Sequence, residues 1–511
     1  MAVTSNLTSI ENFNVGATFS NYGGGSGASD NTDIFIEGTQ SGGRRADNVN
    51  DGGFGVTFTA IDLSAASQHV KVWLFVTQWA SVTQVQIRIS SGNDDDHELP
   101  TGEFPPLGGF IPVWVDVSRA PEVGGTANEA SISEIGVLLD IGNVGGNAQN
   151  LILDEIMHGT SGLLWDGLGG AISDFRTYEN TNNEGNLVAL NGVDFCYSRL
   201  EIGSATATTF TDSGFTLIFP DQSLVASTFM GVTIDLQNAS TDIDLSDATI
   251  QSANVGGAGK RPDLLVTGTS GAFDTSTLNM LGMRLIQLTS ACTINSGIID
   301  TLELTQASSE ILNATLNCRA ASGVAICDDP TFGTTGIHDC NIVQVDSGHA
   351  FEITSTGTYN FSGLVFSGFG ADGTNSAAVY NNSGGAITIN ITDGGSTPTV
   401  RNGTGASTTI NNTVAVKITV RDANTGLVIQ GARVRVIADT GGPLTVGTVI
   451  LSGLTDVNGV IEDTGFNFIS NQPVEGVSRK GTATPFYRSF PISGTITANG
   501  LDQTVFMILD E

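Results

Sequence analysis

Paired carboxylates are the residues in this chain whose types could do chemistry. Cleaving a glycosidic bond needs one carboxyl as acid and another as base or nucleophile, held roughly 5 to 10 Å apart. Asp300, Glu303, Asp328, Asp329, Asp339, Asp346 and Glu352 fall in one Ser/Thr/Asn-rich stretch, with the adjacent Asp328 and Asp329 the first pair to examine. The commoner use of such acids is in solvated turns, which is the expectation here. The run Asp94-Asp95-Asp96-His97-Glu98 reads as a solvated loop, with calcium binding as the alternative, although it lacks the glycine and closing glutamate of an EF-hand. His69, His97, His158, His338 and His349 are not spaced to clamp a metal. His338 beside Asp339, with His349 nearby, is the one local cluster and reads as turn or core histidines.

Other motifs fail on context. Gly23 to Gly27 surrounds Ser26 with glycines, but no strand precedes it and no helix follows, as a nucleophile elbow requires. Gly256-Gly257-Ala258-Gly259-Lys260-Arg261 lacks the glycine spacing and the Ser or Thr after lysine of a phosphate loop. Amphipathic rings recognise sugar faces at small entropy loss. Trp73 and Trp114 sit inside apolar strands, whereas Trp79, between Gln78 and Ala80 at a strand end, is the candidate glycan-binding residue. The expectation is a protein that is not an enzyme and has no cofactor, with structural calcium the one ion considered.

The elements that must position these residues follow from composition. The chain has 511 residues, 40% hydrophobic and 14% charged, with a formal charge of -33. That is too apolar for an acidic disordered chain and too acidic to grip nucleic acid without a basic patch. Sixty-five glycines against 13 prolines, without a three-residue period, suit many short strands joined by tight turns. No run approaches the ~20 apolar residues of a membrane span. The N-terminus lacks the basic start and apolar run of a secretory signal, so folding where the chain is made is expected. Cys196, Cys292, Cys318, Cys327 and Cys340 are odd in number and never form Cys-x-x-Cys, so they read as buried free thiols.

Three zones emerge. In residues 1–162, Val70 to Val76 is apolar at odd and even positions, as a central strand of a sandwich would be. Val85-Gln86-Ile87-Arg88-Ile89-Ser90 instead alternates, one face dry and one wet. With strands at Ile111 to Val117, Ile135 to Ile141 and Leu151 to Ile156, the zone predicts an antiparallel β-sandwich. Its sequence of pieces, Ile10-Glu11-Asn12-Phe13, Gly38 to Gly42, the Trp73 strand, Ile135 to Asp140 and Asn150 to Ile156, resembles the jelly-roll domains of carbohydrate-binding modules. Structural calcium in those modules often joins an early acidic residue to the Asp of the closing strand. The resemblance therefore implicates Glu11 and Asp154, with a surface acidic pair holding no metal as the alternative.

Residues 163–412 repeat apolar triplets between small polar breaks, including stretches beginning at Ile298, Ala314, Asp339 and Ser362. Uneven repeats of this kind predict a parallel β-helix, with Asn and Ser at its corners; a second sandwich would yield similar strands. In residues 413–511, Arg421-Asp422-Ala423-Asn424-Thr425-Gly426, Gly431-Ala432-Arg433-Val434 and Thr455-Asp456-Val457-Asn458-Gly459 resemble carboxypeptidase-regulatory-like or transthyretin-like domains, which implies an Ig-like sandwich. The fold class expected is thus all-β: jelly-roll sandwich, parallel β-helix, Ig-like sandwich.

That combination, with stretches such as Ser347 to Thr354, Tyr359 to Gly373 and Ala378 to Ala386, is similar to appendage proteins of tailed bacteriophages. The resemblance implies a structural virion protein, a fibre, spike or decoration on capsid or tail, assembled in the host cytoplasm. It implies a homotrimer contacting other virion proteins and host-surface glycans, with no nucleic acid and no membrane span. The alternative is a β-helix tailspike enzyme degrading capsule or lipopolysaccharide.

Overall fold

Alternating burial builds the first sandwich. Along Val82–Ser90, Val85, Ile87 and Ile89 enter the core while Gln84 and Arg88 face out. Along His69–Val76, every residue is buried, as the continuous apolar run predicts for a strand covered on both sides. The computed structural model describes the chain except residues 1–2, 15–16, 24–26, 33–34, 37–39, 47–51, 66–67, 78–81, 104–108, 142–148, 161, 227, 258 and 511. It divides into two units, Met1–Thr305 and Gln306–Glu511.

In the first unit, two antiparallel six-stranded sheets face each other. Sheet I runs in the order Ile111–Asp116, His69–Val76, Gln149–Gly159, Ser41–Ala46, Ser29–Asn31, with Thr8–Glu11 also on Gln149–Gly159. Sheet II runs Val123–Gly124, Asp94–Leu99, Val82–Ser90, Ile132–Ile141, Gly52–Ile61, Thr18–Gly23. Phe13, Phe54, Val72, Leu74, Ile87, Ile135, Val137 and Leu153 fill the space between them.

Between Leu163 and Asn412 the pairing is mostly parallel, with an antiparallel hairpin of Leu187–Leu190 and Val193–Cys196. Leu200, Val232, Leu264 and Ile286 stack in one row, at intervals of 32, 32 and 22 residues. Leu217, Ile250 and Met280 stack in a second row. The second unit continues in the same style, with rows Leu316–Ile342–Phe366, Cys327–Phe351–Val379–Val400 and Tyr359–Ile389–Ile410. The first of these rows joins the repeats read from sequence at 314, 339 and 362. Corners are turned by left-handed Asp and Asn, with φ of 50° at Asp247, 54° at Asn313, 43° at Asp329, 51° at Asp339 and 54° at Asp393, because these short polar side chains tolerate that conformation.

The strand Ser407–Asp422 belongs to two architectures. Its first part pairs in parallel with Ala386–Thr392, and its second part pairs antiparallel with Val460–Asn467 and parallel with Leu501–Met507. A facing sheet, Val449–Leu454, Arg433–Ala438, Gln472–Lys480 and Tyr487–Ile496, closes a sandwich over Val416, Ile418, Val434, Val436 and Ile492. The turns expected at Asn424 to Gly426 and Asn458-Gly459 are present, pinned by Asp422 and Asp456 Oδ1.

Two elements differ from expectation. A helix, Ile172–Asn182, interrupts the strands. Its buried Ile172, Phe175 and Glu179 lie on one face, but its polar remainder hides the helical period. Its ends are set by Asp174, whose Oδ2 accepts the Ala171 N–H at 2.8 Å, and by left-handed Asn183. The acidic run at Asp94 is not a solvated loop but the strand Asp94–Leu99, with only Ser91 to Asn93 left for the turn. Cross-strand pairing with Val82–Ser90 sends His97 and Leu99 inward and gives the carboxylates partners.

Candidate functional site

A β-sandwich has two outer faces, and this one treats them oppositely. On sheet I, His69, Lys71, Trp73 and Phe75 point away from the sandwich core yet are all buried. The Phe229 ring stacks on His69 at 3.7 Å and lies 5.1 Å from Trp114. Trp73 Nε1 donates to the Asn183 carbonyl at 2.7 Å, immediately after the helix. Lys71 Nζ donates to the Glu155 carbonyl at 3.0 Å, and burial holds this ammonium down to about 8 against the pull of Glu155, Glu179, Asp154 and Glu184. Glu179 is pushed up to about 7, mainly by burial, although it accepts N–H bonds from Gly185 and Asn186. Trp73 and Trp114, which the sequence places inside apolar strands, are thus consumed in packing.

The outer face of sheet II instead carries a polar layer, with Gln86 and Asp96 buried and Tyr22, Arg88 and Glu98 half-buried. Register aligns its outward residues in rungs across five strands. One is Ser20, Gly55, Gly136, Arg88 and Asp96; its neighbour is Tyr22, Gly53, Leu138, Gln86 and Glu98. Glycines in the middle of a strand sacrifice packing, and here they allow close approach. A Cβ at Gly55 would lie 2.0 Å from Tyr22 Oη, and one at Gly136 would lie 2.7 Å from it. The phenol of Tyr22 therefore folds over a floor of backbone. It donates to Glu134 Oε1, and Ser20 Oγ donates to Glu134 Oε2 at 3.1 Å. Burial, then the bond to Glu134, raises the Tyr22 phenol well above its ordinary range, which keeps it protonated.

Arg88 sits 4.7 Å from the Tyr22 ring centroid and is held by Asp96 through paired bonds of 2.7 and 2.8 Å and by Asp94 at 2.8 Å. Gln86 bridges Gln84 and Glu98 at 3.2 and 3.4 Å. An aromatic ring, a guanidinium, amides and carboxylates on a rigid sheet are the groups that grip a sugar: ring faces take C–H surfaces, and fixed polar groups take hydroxyls.

The sequence-derived candidates fall elsewhere. Trp79 lies outside the described residues. Glu11 Oε1 accepts the Phe13 N–H at 2.7 Å. Asp154 is fully buried, its Oδ2 accepting from Ile36 N at 2.5 Å and its Oδ1 from Glu155 N at 2.9 Å. Glu11 pairs in register with Ile156, two residues beyond Asp154. The two carboxylates are hard oxygen donors of the kind calcium takes, but they are two of the roughly six to eight such an ion needs. Among the described residues, no group of three His, Cys, Asp or Glu gathers to hold a metal.

Asp329 accepts from the N–H and hydroxyl of Thr354, the former at 2.7 Å, and borders a groove of about 470 Å³ with Phe332, Tyr359 and Asn360. His338 bonds Asp339 at 2.8 Å and Glu310 at 3.2 Å, while His349 stacks on Tyr380, so the three-residue cluster separates. All five cysteines are buried and free, as the sequence indicates. No helix among the described residues is long and apolar enough to cross a membrane. Tyr22, Arg88, Glu134 and Asp96 were missed as site residues. The available signal was the alternation of Val85 to Ser90, which already placed Gln86 and Arg88 on the wet face.

No family model and no curated protein matches the chain. Among solved structures it is similar to an exo-beta-agarase, at 12% identity over 30% of this chain and 24% of that one, with a TM-score of 0.24. A family 11 carbohydrate-binding module from Clostridium thermocellum, in complex with a beta-1,3-1,4-mixed-linked tetrasaccharide, matches at 12% identity over 30% of this chain and 94% of that one, TM-score 0.22. The CBM22-1 xylan-binding domain from Paenibacillus barcinonensis Xyn10C matches at 15% identity over 31% and 94%, TM-score 0.18. The chain spans about a quarter of the agarase. These solved neighbours are carbohydrate-binding modules and glycoside hydrolases, each similar to under a third of this chain.

Proposed function

We propose that this chain is a glycan-binding structural protein that holds sugar on the outer face of sheet II. The observation that supports the reading is the contrast between the two outer faces. One is packed under Phe229 and the segment after the helix, while the other carries the half-buried Tyr22, Arg88 and Glu98 over a glycine floor. Together with the sequence resemblance, this arrangement favours an appendage of a tailed-phage virion, trimeric about the coil axis, that touches host-surface glycans.

A glycan array probed with the full chain and with Tyr22→Ala tests the binding face. Selective binding by the wild type, weakened tenfold or more in Y22A, is expected; equal binding by both discards this face. A one-chain mass by light scattering at micromolar concentration would remove the trimer. The Asp329 groove favours a second reading, a polysaccharide-cleaving enzyme. Loss of polymer length on incubation with the chain, abolished by Asp329→Asn, would replace the binding role with that one.

A further inference from the structure

The C-terminal sandwich carries positive charge in an otherwise acidic chain. Residues 413–511 contain seven Lys and Arg against nine Asp and Glu, a net of -2, so the preceding 412 residues carry -31 of the total -33. Within this domain Lys417 is bonded to Asp502, Arg488 to Asp510 and Arg421 to the Gly426 carbonyl. Arg433, Arg435 and Arg479 are different. All three are exposed, and among the described residues none has an ion pair.

Their placement sets like charges side by side on one face of the sheet. Arg433 and Arg435 alternate on the outer side of Arg433–Ala438, where Val434 and Val436 take the core side. Arg433 stands directly opposite Arg479 on Gln472–Lys480. Like charges facing each other across a strand pair repel. The three guanidinium groups line one depression of about 660 Å³, together with Thr482 and Ser489 and the aliphatic side chains of Leu454 and Val477. An anion entering there meets planar donors suited to bidentate capture of an oxyanion. It also meets hydroxyls and an apolar wall.

We propose that this depression binds the carboxylate of an acidic sugar within a glycan chain. A sparse anion is favoured over nucleic acid, whose charge every ~1.7 Å would be repelled by the rest of this chain. The hydroxyl and aliphatic lining fits the uncharged part of a sugar ring. The site is separate from the Tyr22 face and does not depend on it.

Calorimetric titration of the full chain with oligogalacturonate at low salt, beside the same oligomer methyl-esterified, tests the assignment. The expected result is at least tenfold tighter binding of the free acid, lost tenfold or more in Arg433→Gln and in Arg479→Gln. Lys417→Gln removes the same charge from the same domain and should leave binding unchanged. R433Q relieves repulsion, so its melting temperature should not fall. Equal binding of acid and ester, no binding, or indifference to both arginine variants overturns the proposal. Competition by millimolar inorganic sulfate as effective as the oligomer would make this a small-anion site and overturn the glycan assignment.

Discussion

Removing Phe229 should unseal the outer face of sheet I. Phe229 is 4% exposed, and its ring lies 3.7 Å from His69 and 5.1 Å from Trp114. Burying a phenylalanine side chain removes roughly 200 Å² from water, worth about 5 kcal/mol at ~25 cal/mol per Å² as an upper bound. Phe→Ala substitutions in cores cost about 3 to 5 kcal/mol, so Phe229→Ala should fall in that range. The assay is urea unfolding followed by tryptophan fluorescence. Trp73, Trp79, Trp114 and Trp165 all belong to Met1–Thr305, so the signal reports that unit alone. With a slope of about 3 kcal/mol per M, the midpoint should drop by roughly 1 to 1.7 M. Acrylamide should also quench the native fluorescence more strongly, because Trp114 loses its cover. A shift below about 0.3 M with unchanged quenching would mean that Phe229 does not seal the face. The assignment of sugar to the sheet II face of this sandwich, rather than to the sheet I face, would then lose its physical basis.

Other outcomes follow from the same geometry. Glu179, pushed up to about 7 by burial, binds a proton in the folded state that the unfolded chain releases near 4.5. Its contribution to stability is therefore full below about 4.5 and is lost as pH rises through 7; Glu179→Gln should flatten the melting temperature across that window. Asn381 is fully buried, donating to the Ser407 carbonyl and Thr408 Oγ1 and accepting from Ser383. Asn381→Ala should cost about 1 to 2 kcal/mol in urea unfolding of the full chain, since it removes several part-buried hydrogen bonds whose partners water can reach. If calcium joins Glu11 and Asp154, EDTA lowers the melting temperature of the wild type but not of Asp154→Asn. An unchanged wild-type melting temperature removes the ion.

Periodicity is a local property, and it carried most of the fold. The continuous apolar run at Val70 to Val76 specified a strand covered on both sides, and the alternation at Val85 to Ser90 specified one wet face, because side chains alternate whatever the neighbours are. The repeats at Ala314, Asp339 and Ser362 likewise stacked as parallel rungs. Those patterns also separated inward from outward residues and so contained half of the candidate site.

Partnership across the fold was decided only in three dimensions. Whether Trp73 and Trp114 meet sugar or protein depended on Phe229 and Asn183, more than 100 residues away along the chain. Asp96 looked like a solvated loop acid until strand pairing set it opposite Arg88. Tyr22, Gly55, Gly136 and Arg88 carry no shared motif, since register across four strands, rather than spacing along one, brings them together. The opposition of Arg433 and Arg479 arose in the same way. Sequence spacing fixes which side of a strand a residue occupies, whereas hydrogen-bonded register between distant strands fixes what stands beside it.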